Sequence, residues 1–245
     1  MIELIYGFIF IFVAVILSIR EDIRLEGEIL YSAFLALIQL IMLGYVLIYV
    51  FEYGGMITTY VIILIMILTA TYIVNNKIST KINSNKRFMF FYISLTILIV
   101  ALFTLMLLRF SNIIPYESRY IIPLMGMVIG NSMNTIHLAL DKIVDHIRSN
   151  RDILWGYLAL GVSEFQALKP FMRVAITSSL IPKINMTKSV GIIFIPGTMT
   201  GLLLSGVDPL YAAKVQIIIM WMLLGTGLLS GLILYYLSYR ELVRI

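Results

Sequence analysis

Four side chains in "GMVIGNSMNTIH" stand out from an otherwise apolar stretch: Asn131, Ser132, Asn134 and His137, with Met133 among them. Amides, a hydroxyl and an imidazole can donate and accept hydrogen bonds. In hydrocarbon they are costly unless they face protein or a water-filled cavity. Two uses fit equally: interhelical hydrogen bonds, within one chain or between two copies, or contact with a passing solute. A second unusual run is "IPGTMTGLLLSG". Pro196 removes a helical hydrogen bond and Gly197 weakens the turn, so a kink or break is expected there, with Thr198 and Met199 beside it. Broken helices often mark translocation sites; plain packing is the alternative. Gly126 with Gly130, and Gly197 with Gly201, have the spacing that permits close helix approach.

Other chemistry is excluded by what the chain lacks. It has no cysteine, so disulfides, thiolate metal sites and cysteine catalysis are ruled out. No H-E-x-x-H, no G-x-S-x-G and no pair of intramembrane aspartates is present, which argues against an intramembrane enzyme. Glu3, Glu52, Glu117 and Asp208 fall near span ends, so an ion pathway built on buried carboxylates is not visible. Asp208-Pro209 reads as an external turn or the N-cap of the last span with proline at its first position. The two histidines are far apart in sequence, and most of the fourteen methionines read as packing, so the metal ligands, if any, are unknown.

The elements that carry these residues are membrane helices. The 245 residues are 61% apolar and 13% charged, against about 45–50% and 25% in soluble domains. A span needs about 20 apolar residues. Seven segments qualify, at 2–19, 29–51, 56–74, 88–108, 113–136, 184–206 and 212–238. The chain therefore reads as an all-α, multi-pass cell-membrane protein, one transmembrane domain over 1–245. The first segment is short, and an interfacial helix is its alternative. Residues 1–19 lack the basic start and small-residue cleavage site of a signal peptide.

Basic residues orient the spans. One set of connections holds Arg20, Arg24, Lys77, Lys81, Lys86, Arg87, Lys142, Arg148, Arg151, Lys169, Arg173, Lys183, Lys188, Arg240 and Arg244, fifteen of the eighteen; the other holds Arg109, Arg119 and Lys214. An N-outside, C-inside arrangement puts the fifteen in the cytoplasm. The net charge of +5 is thus a loop signal and not a nucleic-acid one.

The longest connection, 137–172, is then cytoplasmic. Leu140, Ile143, Val144 and Ile147 form an apolar stripe. In "LWGYLALGVSEFQALKP" Leu154, Leu158, Val162, Phe165, Leu168 and Met172 recur at helical spacing, while Ser163, Glu164, Gln166 and Lys169 take the wet side. Gly161 interrupts the helix, Ser163 suits an N-cap, and Pro170 suits a helix boundary. A helix, a glycine break and a short amphipathic helix are expected. That helix either rests on lipid headgroups or docks into a groove on a partner.

"ALGVSEFQALKP" followed by "IPKINMTKSVGIIFIPGTMTGLLLSGVDPLYAAKVQIIIM" resembles the iron-export ABC transporter permeases of the FetB type, a family that includes plant aluminium-tolerance permeases. "IPLMGMVIGNSMNTIHLAL" and "ILYSAFLALIQLIMLGYVLIYVF" extend the likeness from about Glu28 to Tyr239. The resemblance implies a permease working as two copies, exporting iron or another metal, with Leu158, Gly161, Val162, Ser163, Glu164, Phe165, Gln166, Leu168 and Lys169 as a coupling helix for a separate ATPase. The chain would bind no cofactor, with ATP and Mg on the partner. Independently, no G-x-x-x-x-G-K-[ST] loop occurs, so the chain cannot hold ATP in that manner. A non-metal solute such as a nucleotide-sugar, or a scaffold that moves nothing, are the other readings.

Overall fold

The computed structural model describes residues 2–78, 81, 86–111 and 115–243, with side chains from residue 6 onward. The expectations on Glu3, on residues 113 and 114 at the start of the fifth segment and on Arg244 lie outside the described residues or side chains. All described elements are helices, with one isolated bridge between Val190 and Phe194. The chain divides into two compact units, Met1–Gly55 and Met56–Ile245.

The first unit is a hairpin of α1 (Ile2–Arg20) and α2 (Glu26–Tyr53). Its turn places Asp22 and Arg24 in the left-handed region, at φ 50° and 63°. Ser18 ties the turn down: its hydroxyl accepts from the Leu25 amide at 3.0 Å and donates to Glu26 at 3.1 Å. Nearly all of α2 exposes apolar side chains, as a helix surrounded by lipid does.

The second unit comprises α3 (Met56–Ile78), α4 (Lys86–Ser111), α5 (Ser118–Ser149), α6 (Arg151–Ala159), α7 (Glu164–Ser189), α8 (Gly197–Leu204) and α9 (Pro209–Val243). Helix α5 is its centre and packs on α3, α4, α7 and α9. Its buried residues Ile121, Met125, Ile129, Ile136, Leu140, Ile143 and Ile147 recur at helical spacing and form the core. Helix α9 packs on α4, α5, α7 and α8. Its start follows the capping logic: Asp208 Oδ1 accepts from the Tyr211 amide at 2.9 Å and Pro209 opens the helix.

Among the described residues four helices, α2, α3, α4 and α9, are long and apolar enough to cross a membrane, and α1 holds a shorter apolar stretch. Helices α5 and α7 are long but more polar. A helix enclosed by other helices need not be apolar all round, and α5 also continues past the expected boundary at residue 136 into the charged stretch Asp141–Arg148.

The sixth span differs from expectation. Residues 184–206 are not one helix. Helix α7 ends at Ser189, the chain turns through Val190–Pro196 with Gly191 at φ 81°, and α8 is only eight residues long. The long helix lies earlier, so the helix after Gly161 has 26 residues instead of being short. The sequence misled because Pro170 and Pro182 both sit inside α7. Each proline frees the carbonyl four residues before it, on the exposed Gln166 and the half-buried Ser178. Pro196, expected to kink a span, instead precedes the first turn of α8, where its carbonyl accepts from the Thr200 amide at 3.0 Å.

Candidate functional site

Halfway along α5, the polar run meets α7 and α9. Asn131 Nδ2 donates to the Leu223 carbonyl at 2.7 Å and lies 3.4 Å from Thr226 Oγ1. Thr135 donates back to the Asn131 carbonyl at 2.9 Å. A side-chain amide here ties two helices together and has little freedom left. The contact is close because of Gly227. A Cβ on it would sit 3.1 Å from Leu180 Cδ2 and 3.4 Å from both Asn131 Nδ2 and Thr135 Oγ1. One turn on, a Cβ on Gly231 would come 3.2 Å from Ile176 Cγ1. The close-packing pair is therefore Gly227–Gly231. Gly126 would meet only Met66, at 3.8 Å, and Gly130, Gly197 and Gly201 would meet nothing within 4 Å.

Beside this junction is a cleft of about 260 Å³ between α5 and α7. It is lined by Asn131, Asn134, Thr135, His137 and Leu138 from α5, and by Ser179, Pro182 and Lys183 from α7. Ser179 spends its hydroxyl on the Ile176 carbonyl at 2.8 Å. Asn134 is exposed, and the buried Nδ1 of His137 has no partner. Lys183 forms no ion pair among the described residues. Ser132 is fully buried with an unpartnered hydroxyl, and Met133 packs on the core; neither lines the cleft. Counting at 1.5 Å per residue, Leu180 lies about 24 Å from the start of α7 and Gly227 about 27 Å from the start of α9. The junction is thus far from the starts of both helices, while Leu180 is about 14 Å from the end of α7.

Pro196, Gly197, Thr198 and Met199 are not part of this cleft. They sit at the start of α8, where Thr198 Oγ1 lies 4.0 Å from Met127 Sδ, one turn before Asn131 on α5. The two groups expected to share a pathway share a helix neighbour but not this cleft. Sequence reasoning missed Lys183, which was counted with the loop cations, and Gln216, an amide in an apolar run whose buried Oε1 has no partner. The visible signal for Gln216 was a polar residue inside a helix-length segment; Lys183 stood just outside the expected segment 184–206 and gave none.

The expected docking turn is built differently from its two faces. Gly161 takes φ 80°, a left-handed conformation that favours glycine. Ser163 Oγ accepts from the Gln166 amide at 3.4 Å, capping α7. Leu168 is completely buried, and Leu158, Val162 and Phe165 pack on the internal core. The Phe165 ring lies 5.0 Å from Tyr235, stacks on Tyr236 at 5.5 Å and meets Tyr239 edge-on at 5.5 Å. These four apolar side chains turn inward, Leu168 fully and the other three in part, and hold the turn in place. Left outward are Leu160, 82% exposed, with Gly161, Ser163, Glu164, Gln166 and Lys169. Trp155 and Ile153 on α6 are also exposed. Beside them, Ile147, Arg151, Leu154, Trp155, Leu158, Glu164 and Val243 line a cleft of about 400 Å³.

At the same end of the unit, Lys81 is held against α5. Its ammonium pairs with Asp141 and lies 3.7 Å from Asp145, while Arg148 donates to the Lys81 carbonyl. The Asp141 hydrogen bond, above all, raises the Lys81 pKa above its ordinary 10.5, against partial desolvation. Among the described residues no three metal-ligating side chains of His, Cys, Asp or Glu gather.

The model of a family described as "Uncharacterised protein family (UPF0014)" matches residues 1–243. The chain is 35% identical to the "Probable iron export permease protein FetB" of Escherichia coli, over 94% of this chain and 86% of that one. It is 32% identical to the "Protein ALUMINUM SENSITIVE 3" of Arabidopsis thaliana, over 94% and 82%. It is 31% identical to the "UPF0014 membrane protein YjkA" of Bacillus subtilis, over 96% and 92%. No solved structure matches the chain.

Proposed function

The chain belongs to the UPF0014 family of multi-pass membrane proteins, the family of the FetB-type permease that its motifs resemble, and from that premise we propose that it is the permease subunit of an ATP-driven ABC exporter. A separate ATPase binds ATP and Mg and docks on the turn between α6 and α7. Two copies of the chain assemble with it. The cargo is iron or another metal, in line with the name of the Escherichia coli relative.

The observation that carries this reading is the α6–α7 turn. It presents Leu160, Glu164, Gln166 and Lys169 outward on a base of buried side chains. A lipid-resting helix would turn its apolar stripe to the headgroups. Here that stripe is spent on the protein's own core, and the outward residues suit a protein groove. The chain itself has no phosphate-binding loop to drive transport.

In this account seven helices cross the membrane: α1 to α5, α7 and α9. Replacing 184–206 by α7 keeps the count odd, with the N-terminus outside and the C-terminus in the cytoplasm. Lys183 and Lys188 leave the cytoplasmic set, and thirteen of the eighteen basic residues remain there. The inward bias survives. Helix α8 and the Val190–Pro196 turn form an outer hairpin. Closure of the ATPase pair would push the turn and bias α7 and α9 between two arrangements.

The absence of cysteine allows a direct test. A single cysteine at Leu160 should crosslink to the ATPase in membranes, and one at exposed Tyr45 on α2 should not. Crosslinking equal at both positions, or at neither, removes the docking assignment.

A further inference from the structure

The cleft between α5 and α7 contains a cation and no anion. Lys183 is the one charged residue among those that line it, and the remaining polar groups are amides, hydroxyls and the His137 ring. The nearest acid along α5 is Asp141, one turn beyond His137, and Lys81 already engages it. Lys183 is half-buried six residues, about 9 Å, before the end of α7, and a charge inside a membrane bundle is costly unless it is paired or faces a water-filled cavity. Lys183 has the cavity and, among the described residues, lacks the pair.

The polar inventory points the same way. Asn131 is committed to the Leu223 carbonyl, which leaves the Lys183 ammonium, the exposed Asn134 amide and the His137 ring to meet a solute. The first is a donor alone. A naked divalent cation prefers carboxylate oxygens or several imidazoles and would be repelled by the ammonium. No such ligand set gathers among the described residues.

The geometry points to a solute that brings its own negative charge to Lys183: carboxylate or phosphate oxygens, free or already ligating a metal in a net-anionic chelate. This inference rests on the permease reading and specifies the form in which cargo enters. The lysine is the counter-charge that the cavity holds ready, and Asn134 adds a neutral hydrogen bond beside it.

The test uses the full chain purified in detergent and follows its thermal stabilisation by four probes: inorganic phosphate, citrate, iron(III) citrate, and free iron(II) without oxygen. At least one anionic probe should stabilise the wild type, and iron(II) should not. Lys183→Met should weaken that probe by about tenfold or more, and Lys183→Arg should keep most of its affinity. Stabilisation by citrate or phosphate alone identifies a free anion; stabilisation by iron(III) citrate alone identifies the chelate. The inference is overturned if iron(II) binds and the anions do not, if no probe binds, or if Lys183→Met binds the anion unchanged. Should Lys183→Met fail to fold, the wild type's preference between anions and iron(II) decides. Recovery of the ATPase with the same preparations is scored separately. Loss of the ATPase with Lys183-dependent anion binding would sink the permease reading alone; the reverse would sink the charge assignment alone.

Discussion

Tyr235, near the end of α9, donates its phenolic hydrogen to the backbone carbonyl of Phe165, the second residue of α7. The Phe165 ring rests among Tyr235, Tyr236 and Tyr239. The first turn of α7 is therefore fastened to the last turns of α9. A force on the exposed turn at Leu160–Ser163 would reach two long helices at once. That is what a coupling element requires, and a loosely tethered loop would not supply it.

Phe165 and Leu160 should consequently behave in opposite ways. Phe165→Ala removes a ring packed on three others and should lower stability by about 2–4 kcal/mol, seen as a lower unfolding midpoint in detergent. Leu160→Asp changes an exposed side chain and should stay within about 0.5 kcal/mol of the wild type. ATPase recovery should nevertheless fall with Leu160→Asp.

Gly227 and Gly130 make a second contrast. Gly227→Val places atoms where Leu180, Asn131 and Thr135 already lie, so α9 must move away and the Asn131–Leu223 bond must stretch. The expected cost is about 1–3 kcal/mol, as for other overpacked cores. Gly130→Ala meets nothing within 4 Å and should leave the unfolding midpoint of the single chain unchanged or slightly raised.

Single cysteines should locate the sixth span. Ile193, 79% exposed in the Val190–Pro196 turn, should react with an impermeant maleimide added outside intact cells as Ile193→Cys. Leu160→Cys should react only after permeabilisation. If 184–206 were instead the span, Ile193 would lie in mid-membrane and stay unlabelled.

The Lys81 latch has a defined pH dependence. The Lys81 pKa is raised in the folded chain, so its contribution is complete below the ordinary value of 10.5 and is lost as pH rises through the higher folded value. Protection of the Lys81 amide, which donates to the Ile78 carbonyl, against hydrogen exchange should therefore not change with pH below about 10. Lys81→Met should remove that protection at every pH.

Much of this architecture could be read from residue patterns, and the exceptions have physical causes. Helices α2, α3, α4 and α9 are long and apolar, with many apolar side chains exposed, so hydropathy finds them. Helix α7 was hidden because its surroundings are protein and a polar cleft, which relaxes the demand for apolar residues, and because two prolines suggested boundaries that the fold does not use. The stretch 184–206 looked like a span since Ile192, Ile193 and Ile195 are apolar, yet these side chains are exposed on a turn. At the site, Asn131 and Asn134 were visible as amides in an apolar run. Lys183 was not, because a lysine reads as a loop residue until its helix is known. The α6–α7 turn was legible in its glycine and its cap, but periodicity alone cannot say whether an apolar stripe faces a partner or the chain's own core. Leu168 and Phe165 face the core.

The central claim is that another protein drives this one through the α6–α7 turn. The chain, affinity-purified from its native membranes in mild detergent, should bring with it a separate ABC-type ATPase, with ATP hydrolysis in the eluate. Leu160→Asp, purified in equal amount and with an unchanged unfolding midpoint, should lose that ATPase by at least about tenfold, as loss of a central interface anchor does. An eluate without any ATPase from the wild type, or one with equal stoichiometry from Leu160→Asp, would contradict the account.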